Sequence, residues 1–278
     1  MNIIEAIILG FVQGAAEFLP ISSSGHLVLT QAIFGITENN LAFDVLLHLA
    51  TLFAVIAAYH ETVFGLIREF FLMIADIFRG RGARIRDITY RKYIFCIVVG
   101  CIPAGIVGVL FDDLFESMFS NVTMVCVMLI VTGFVLLAAE RIGMNNSKGI
   151  DSLTLPKSFV TGLFQMCAIM PGLTRSGTTM LGGLCVGLKK EDALEFSFML
   201  SLPTILGSVV LKIGDIADAI REISIVPVLA GFITALVVGY LSIQLFRKVV
   251  RDGSLMGFAA YCWLLATVVI LNLDKVIK

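Results

Sequence analysis

Six apolar stretches, 41–60, 93–111, 122–140, 193–213, 224–246 and 255–273, are each long enough to cross about 30 Å of hydrocarbon, which takes roughly 20 helical residues. Within a bilayer a segment of that length satisfies its backbone polar groups only as a helix. The fold class follows: an all-α polytopic membrane protein. Composition agrees, since the 278 residues are 58% hydrophobic and 15% charged with a mean hydropathy of +0.99, outside the globular range. No long soluble domain is left over, so 1–278 reads as a single integral membrane domain. The apolar stretch from Ile3 to Leu19 has no basic residues before it and no small-residue cleavage signature after it, which argues against a signal peptide. The six cysteines lie singly in apolar sequence without paired or metal-ligand spacing, and read as small buried side chains.

Two further apolar regions, 3–36 and 158–188, are cut near the middle by Pro, Gly, Ser and Thr. Their halves, of about a dozen residues, are too short to span, so each region reads as a re-entrant helix hairpin. The piece 63–78 carries Arg68, Glu69 and Asp76 on an otherwise apolar helix, and is expected along a membrane interface or as an extension of the preceding span. Basic residues set the orientation. Arg79, Arg81, Arg84, Arg86, Arg91 and Lys92 crowd one loop, and counting crossings places Arg141, Lys148, Lys157, Lys189, Lys190, Arg247, Lys248 and Arg251 on the same, cytoplasmic side. The acidic loop Asp112-Asp113-Leu-Phe-Glu116 and the tail with Lys275 and Lys278 fall on the other.

The two hairpins resemble each other. A shift of 152 positions aligns Gly10 with Gly162, Gln13 with Gln165, Ser22 with Thr174, Ser23 with Arg175, Ser24 with Ser176 and Gly25 with Gly177. A shift of 153 aligns Phe43, Leu47, Leu49 and Thr51 with Phe196, Leu200, Leu202 and Thr204. The chain therefore reads as a tandem repeat, about 1–140 and about 150–278, whose copies enter the membrane from opposite faces. Such inverted-topology repeats place their site near the midplane, where broken helices meet.

Chemistry concentrates at the two breaks. Gln13 and Glu17, spaced i, i+4, share a helix face, and Pro20 ends that helix before a hydroxyl run suited to the start of another. A carboxylate or guanidinium facing lipid would cost about 2.5–3.5 kcal/mol, so Glu17 and Arg175 are expected to face a polar cavity or each other. Ser22, Ser23, Ser24, Thr174, Ser176, Thr178 and Thr179 cluster with them at helix N-termini. Helix N-termini, hydroxyls and an arginine favour an anion, and phosphate above others. Glu17 adds capacity for a divalent cation, and His26, three residues after Ser23, for acid, base or nucleophilic work. His48, opposite Ser201 in the repeat alignment, is left between a core and a site role; His60 is expected only at an interface. The small-residue pairs Gly10/Gly14 and Gly183/Gly187 suit close helix packing. There is no Walker loop, zinc-type Cys/His spacing or nucleophile elbow.

These residues resemble the bacterial undecaprenyl-diphosphate phosphatases of the bacitracin-resistance family over essentially the full length. The first family motif, Glu or Gln, three residues, then Glu, is matched by Gln13 to Glu17 and runs into Phe-Leu-Pro-Ile-Ser-Ser-Ser-Gly-His, 18–26; the second is matched by Pro171-Gly-Leu-Thr-Arg-Ser-Gly-Thr-Thr179. The resemblance implies hydrolysis of undecaprenyl diphosphate to the monophosphate, recycling the carrier for cell-wall synthesis in a multi-pass protein of the bacterial plasma membrane, with its site open to the extracytoplasmic side. It implies a divalent cation, Mg²⁺ or Ca²⁺, at Glu17. It makes Glu17 the essential carboxylate, Ser23 a nucleophile or phosphate ligand, His26 an acid/base and Arg175 a diphosphate clamp, with Gln13, Ser22, Ser24, Thr174, Ser176, Gly177 and Thr178 around the substrate. Gln13 is the neutral form of the first motif, which puts two carboxylates sharing a metal in doubt; Thr174 stands where serine is usual. A rival phosphatase class, which uses a histidine well downstream of an arginine, does not fit a chain with no histidine after His60. The partners expected are the lipid and the bilayer, with no nucleic acid and with pairing into a homodimer left open. An isoprenoid-lipid flippase or secondary transporter shares the architecture expected here, and a structural subunit would leave the polar residues at the breaks dispensable.

Overall fold

In the computed structural model the described residues, 1–34, 41–85, 88–111, 114–115, 118, 121–211 and 224–272, form eleven α-helices and one short 3-10 turn, with no strand among them. The helices are α1 (Ile3–Phe18), α2 (Ser23–Phe34), α3 (Leu41–Ala58), α4 (His60–Phe78), α5 (Thr89–Leu110), α6 (Val122–Gly143), α7 (Leu155–Cys167), α8 (Arg175–Cys185), α9 (Lys190–Leu211), α10 (Ile225–Asp252) and α11 (Met256–Leu271), with the 3-10 turn at Ile150–Ser152. Asp112, Asp113 and Glu116 of the acidic loop, Arg86, and the tail with Lys275 and Lys278 lie outside the described residues.

Helices stand at all six expected spans. Four of them, α5, α6, α9 and α10, are long and apolar enough to cross a membrane, and α3 with α4 makes a fifth candidate joined at a 91° bend. Helix α11 has only 16 residues, about 24 Å at 1.5 Å per residue, shorter than the stretch 255–273 suggested. Of the two expectations for 63–78, the bend removes a straight extension of α3: α4 turns sharply away from it. Its outer face exposes Phe64, Phe70, Phe71 and Phe78, while Val63, Leu66 and Met73 are buried. Exposed apolar side chains recur along the long helices, among them Val98, Phe134, Leu241 and Leu264, as expected of surfaces meant for lipid rather than water. The protein is an all-helical, multi-pass membrane protein.

Each interrupted region folds as two short helices with a break. Asn2 caps α1 by accepting the Glu5 N–H at 2.9 Å, and the Glu5 carboxylate accepts the Asn2 N–H at 2.8 Å, a complete capping box. The helix stops at Phe18 because Leu19, preceding Pro20, is extended with ψ 140°. Thr174 caps α8, its hydroxyl accepting the Gly177 N–H at 3.4 Å.

Packing is reciprocal. Helix α1 lies along α10 and α7 along α5, while α3 packs on α10 and α9 on α5. The two close crossings use glycine at both partners: a Cβ on Gly10 would strike the Gly231 carbonyl, and one on Gly162 would strike the Gly100 carbonyl. Gly14 continues the first, since its Cβ would stand 2.9 Å from the Gly239 nitrogen. The core between these crossings centres on Phe18, Phe198 and Phe246, with the Phe18 and Phe198 rings edge to face at 5.5 Å.

The basic loops gather at one end of the bundle. Lys92 donates to the Asp151 carbonyl at 2.8 Å, the Lys189 N–H to the Lys148 carbonyl at 2.9 Å, and Lys190 pairs with Glu140 at 2.8 Å, whose other oxygen accepts the Leu255 N–H at 3.0 Å. Arg91 departs from the surface role expected of its loop. It is buried, pairs with Asp76 at 2.8 Å and Glu69 at 3.1 Å, and clamps α5 to α4. Cys96, Cys126 and Cys262 are buried as expected, whereas Cys167 and Cys185 end α7 and α8 and are exposed; all six cysteines are free.

Candidate active site

The two breaks meet face to face. A Cβ on Gly25 would lie 3.4 Å from the Gly172 Cα, and one on Gly177 would lie 3.3 Å from the Pro20 Cβ, so glycine at each position lets one hairpin seat in the other. Ser24 bridges them by accepting the Gly172 N–H at 3.3 Å. Thr132 on α6 steadies the second break, donating to the Gly172 carbonyl and accepting the Thr174 N–H, both at 3.0 Å. Gly172 itself takes φ +90° and passes against the Val125 carbonyl, room that a side chain would remove.

Glu17 is the hub. It is buried at 5% exposure, at the last turn of α1, and three side chains donate to it. Arg175 Nη2 binds its Oε1 as an ion pair across 158 positions of sequence. Ser23 Oγ donates to Oε2 at 2.7 Å, and Gln13 Nε2 to the same oxygen at 3.0 Å from one turn back. His48 Nδ1, from α3, stands 3.4 Å from Oε2 and 2.8 Å from Gln13 Nε2. A carboxylate so surrounded is fixed in orientation.

The remaining predicted residues fall around this hub. Ser22 takes φ 71°, left-handed and strained for a non-glycine residue; its hydroxyl accepts the Gly25 N–H at 3.2 Å and lies 3.3 Å from Ser24 Oγ. Thr174 and Ser176 hydroxyls are 3.3 Å apart at the start of α8. Thr178 and Thr179 are buried there with hydroxyls that have no partner. His26 is not joined to Glu17: its Nδ1–H donates to the Ser22 carbonyl at 2.8 Å, and its Nε2 accepts from the Tyr261 hydroxyl at 2.8 Å. The structure therefore brings Gln13, Glu17, Ser23 and Arg175 into one bonded cluster, adds His48 to it, and hands His26 to Tyr261 of α11.

His48 and Tyr261 carried little signal in sequence. His48 shows only as a lone imidazole in an apolar stretch, one turn after Asp44, and Tyr261 reaches its partner across 235 positions.

Among the described residues no three His, Cys, Asp or Glu side chains converge into a metal cage. The oxygens a hard cation could use here are those of the Glu17 carboxylate, which already accept from three donors, and Gln13 Oε1, which is buried without a partner. A cation such as Mg²⁺ commonly keeps waters and phosphate oxygens and takes only one or two protein carboxylates. The donor set fits a cation that arrives with a phosphate, and does not fit a resident cage.

Similarity to known proteins bears on the same residues. The sequence pattern of the family described as bacitracin resistance protein BacA matches residues 6–268. A Methanobrevibacter smithii protein described as an undecaprenyl-diphosphatase is 42% identical over 275 residues, 98% of each chain. Proteins with the same description from Methanosphaera stadtmanae and Alkaliphilus metalliredigens are 40% and 38% identical over 274 and 273 residues, each again covering 98% of both chains. The match takes in both breaks, with the Glu17 and Arg175 motifs where they meet, and the chain belongs to the bacitracin resistance protein BacA family.

Proposed function

We propose that this protein hydrolyses undecaprenyl diphosphate to undecaprenyl phosphate and inorganic phosphate, returning the lipid carrier to cell-wall synthesis. The observation that carries the reading is the bonded set of Ser23, Glu17 and Arg175, supplied by both breaks and seated beside two helix N-termini. A hydroxyl donating to a fixed carboxylate is a nucleophile with its base. The relatives' shared description supplies the substrate.

In this mechanism Arg175 and the N-termini of α2 and α8 hold the diphosphate oxygens. Ser23 Oγ attacks the terminal phosphorus while Glu17 takes its proton; the bond to the bridging oxygen breaks and undecaprenyl phosphate leaves. Water then attacks the phosphoserine and gives one proton to His26 Nε2, while Glu17 returns the proton it took to Ser23 Oγ as that P–O bond breaks, and inorganic phosphate departs. His26, three residues beyond Ser23, carries its hydrogen on Nδ1 and leaves Nε2, which accepts from Tyr261, as the group that takes up a proton from the attacking water. Glu17 and Gln13 Oε1 would hold the divalent cation, Mg²⁺ or Ca²⁺, which when bound supplies neutralisation of phosphate charge.

The architecture of this reading is six membrane crossings and two re-entrant hairpins in an inverted repeat, 1–140 and 150–278. Its support is the reciprocal packing of α1 on α10 and α7 on α5, with paired glycine crossings at Gly10/Gly231 and Gly162/Gly100. The basic end lies in the cytoplasm of a cell whose plasma membrane holds the protein, and the site opens extracytoplasmically.

The test is phosphate release from undecaprenyl diphosphate by purified protein in detergent, with and without a chelator, for wild type and Ser23→Ala. Brief incubation with substrate labelled in the terminal phosphate should leave label on wild-type serine and none on Ser23→Ala, which should turn over at least about a hundredfold more slowly. No release from folded wild type would refute the function; full turnover by Ser23→Ala would refute the nucleophile.

A further inference from the structure

The Gln13 amide is the least expected part of the cluster. Its nitrogen spends both hydrogens, one on Glu17 Oε2 at 3.0 Å and one on His48 Nδ1 at 2.8 Å, while its oxygen is buried with no partner. Turning the amide over would set its oxygen against the Glu17 carboxylate, acceptor to acceptor. An amide nitrogen only donates, so His48 Nδ1 must be the unprotonated ring nitrogen and the ring's hydrogen sits on Nε2. The other two histidines are opposite: Nδ1 of His26 faces the Ser22 carbonyl at 2.8 Å, and Nδ1 of His60 faces the Ala57 carbonyl at 3.3 Å, so each carries its hydrogen on Nδ1.

We infer that His48 is a positioning residue for the hydrolysis: by accepting the second Gln13 N–H it locks the amide so that Oε1 is presented, bare, to the reaction site beside Glu17. The need arises from the amide itself. A glutamine has one acceptor and one donor face, so the side chain works as an oxygen ligand or acceptor only if something fixes which face points inward. A carboxylate at position 13 would have two equivalent oxygens and nothing to fix. His48 is suited to the task because it comes from a different helix, α3, and its side chain is only 32% exposed, so its ring moves with the wall of the site and not with α1. Gln13 is wholly buried, and an unpaired N–H there has no water to turn to.

This inference rests on the hydrolase reading for its kinetic arm and stands alone in its spectroscopic one. With histidine labelled by ¹⁵N, the three ring systems should divide two against one. His48 should be the sole Nε2–H tautomer, and the pattern should be assigned by losing that signal in His48→Gln. In turnover, His48→Leu should lower kcat about tenfold or more, with a smaller change in KM. His48→Gln, which restores an acceptor, should recover most of that loss. In the Gln13→Glu background the further loss on adding His48→Leu should shrink to about twofold or less, because no amide remains to orient. A His48 ring protonated on Nδ1 would overturn the assignment, as would equal losses from His48→Leu in both backgrounds or no recovery by His48→Gln in folded protein. Should wild type release no phosphate, the hydrolase reading falls, and the tautomer pattern alone decides the pairing of His48 with Gln13.

Discussion

Replacing Glu17 by glutamine removes one charge and nearly no volume, and its effect can be worked from the four groups around the carboxylate. Three donors converge on two oxygens: Arg175 on Oε1, and Ser23 and Gln13 on Oε2. A glutamine offers one oxygen. If that oxygen faces Arg175, its NH₂ confronts the Gln13 NH₂ at about the 3.0 Å now spanned by the bond; if it turns the other way, the NH₂ confronts the guanidinium. One buried donor is stranded in either orientation, at a cost of about 1–3 kcal/mol, against a total stability of order 5–15 kcal/mol. Glu17→Gln should therefore fold, with a lowered melting temperature. Catalysis suffers more, because the amide cannot take the Ser23 proton: general-base loss is worth roughly 10²–10⁴ in rate, or about 2.7–5.4 kcal/mol of barrier. The assay is phosphate release in detergent alongside a thermal melt and size-exclusion profile. A variant that is monodisperse, cooperatively folded and within threefold of wild-type turnover would refute the assignment of Glu17 as the base. A variant that fails to fold would show instead that the ion pair with Arg175 is worth more than the bond count allows.

Arg175→Lys keeps the charge but replaces a planar fork by a point charge; KM for the diphosphate should rise about tenfold or more, one charged hydrogen bond's worth, measured by initial rates across substrate concentration, with Arg175→Ala worse still. Gly177→Ala adds a methyl 2.7 Å from Thr174 Cγ2, 2.9 Å from Leu136 Cδ2 and 3.3 Å from Pro20 Cβ, wedging the two breaks apart. A misplacement of about 1 Å at a reacting pair can cost 10²-fold, so kcat should drop steeply while the thermal melt moves by only the ~1–3 kcal/mol of overpacking; unchanged kcat would show that the interlock does not position the chemistry.

What sequence shows of this site is what helical spacing and chemical type can show. Gln13 and Glu17 fall on one face because they are four apart, and they do bond. Glu17 and Arg175, which lipid tolerates poorly, are expected to face a polar cavity or each other, and they form the central ion pair. His48 was left undecided because its role is purely tertiary: it meets Gln13 across 35 positions and two helices, and nothing in the periodicity of α3 distinguishes a histidine aimed at a carboxylate from one aimed at a backbone carbonyl. Proline is an equally local signal with a non-local outcome. Pro20 ends α1, yet Pro103 and Pro203 lie within α5 and α9, which continue through them, because neighbouring helices can satisfy the backbone groups that proline frees in a membrane. Conversely the 91° turn between α3 and α4 falls at Tyr59, with neither proline nor glycine to announce it.

The division of the site between the two hairpins explains why its residues are so sparsely distributed along the chain. In the proposed mechanism nucleophile and base come from the first break and the guanidinium from the second, so neither hairpin would hold a complete anion site alone. What joins them is close contact: Gly25 against the Gly172 backbone, Gly177 against the Pro20 ring, and the Ser24 hydroxyl accepting the Gly172 N–H. The same reciprocity recurs away from the site, where α1 and α7 each lie on a helix of the opposite half through paired glycines. Helices packed that closely cannot slide without lifting a Cα from a carbonyl it already touches, so the hairpins are held as a unit with the walls behind them. Glu17 and Arg175 then meet not because their own attraction draws two mobile segments together, but because the glycine contacts leave the breaks no other register. The ion pair can be shared with an incoming phosphate without loosening the fold, which is the condition a guanidinium has to meet if it is to bind a substrate and still hold its carboxylate in place.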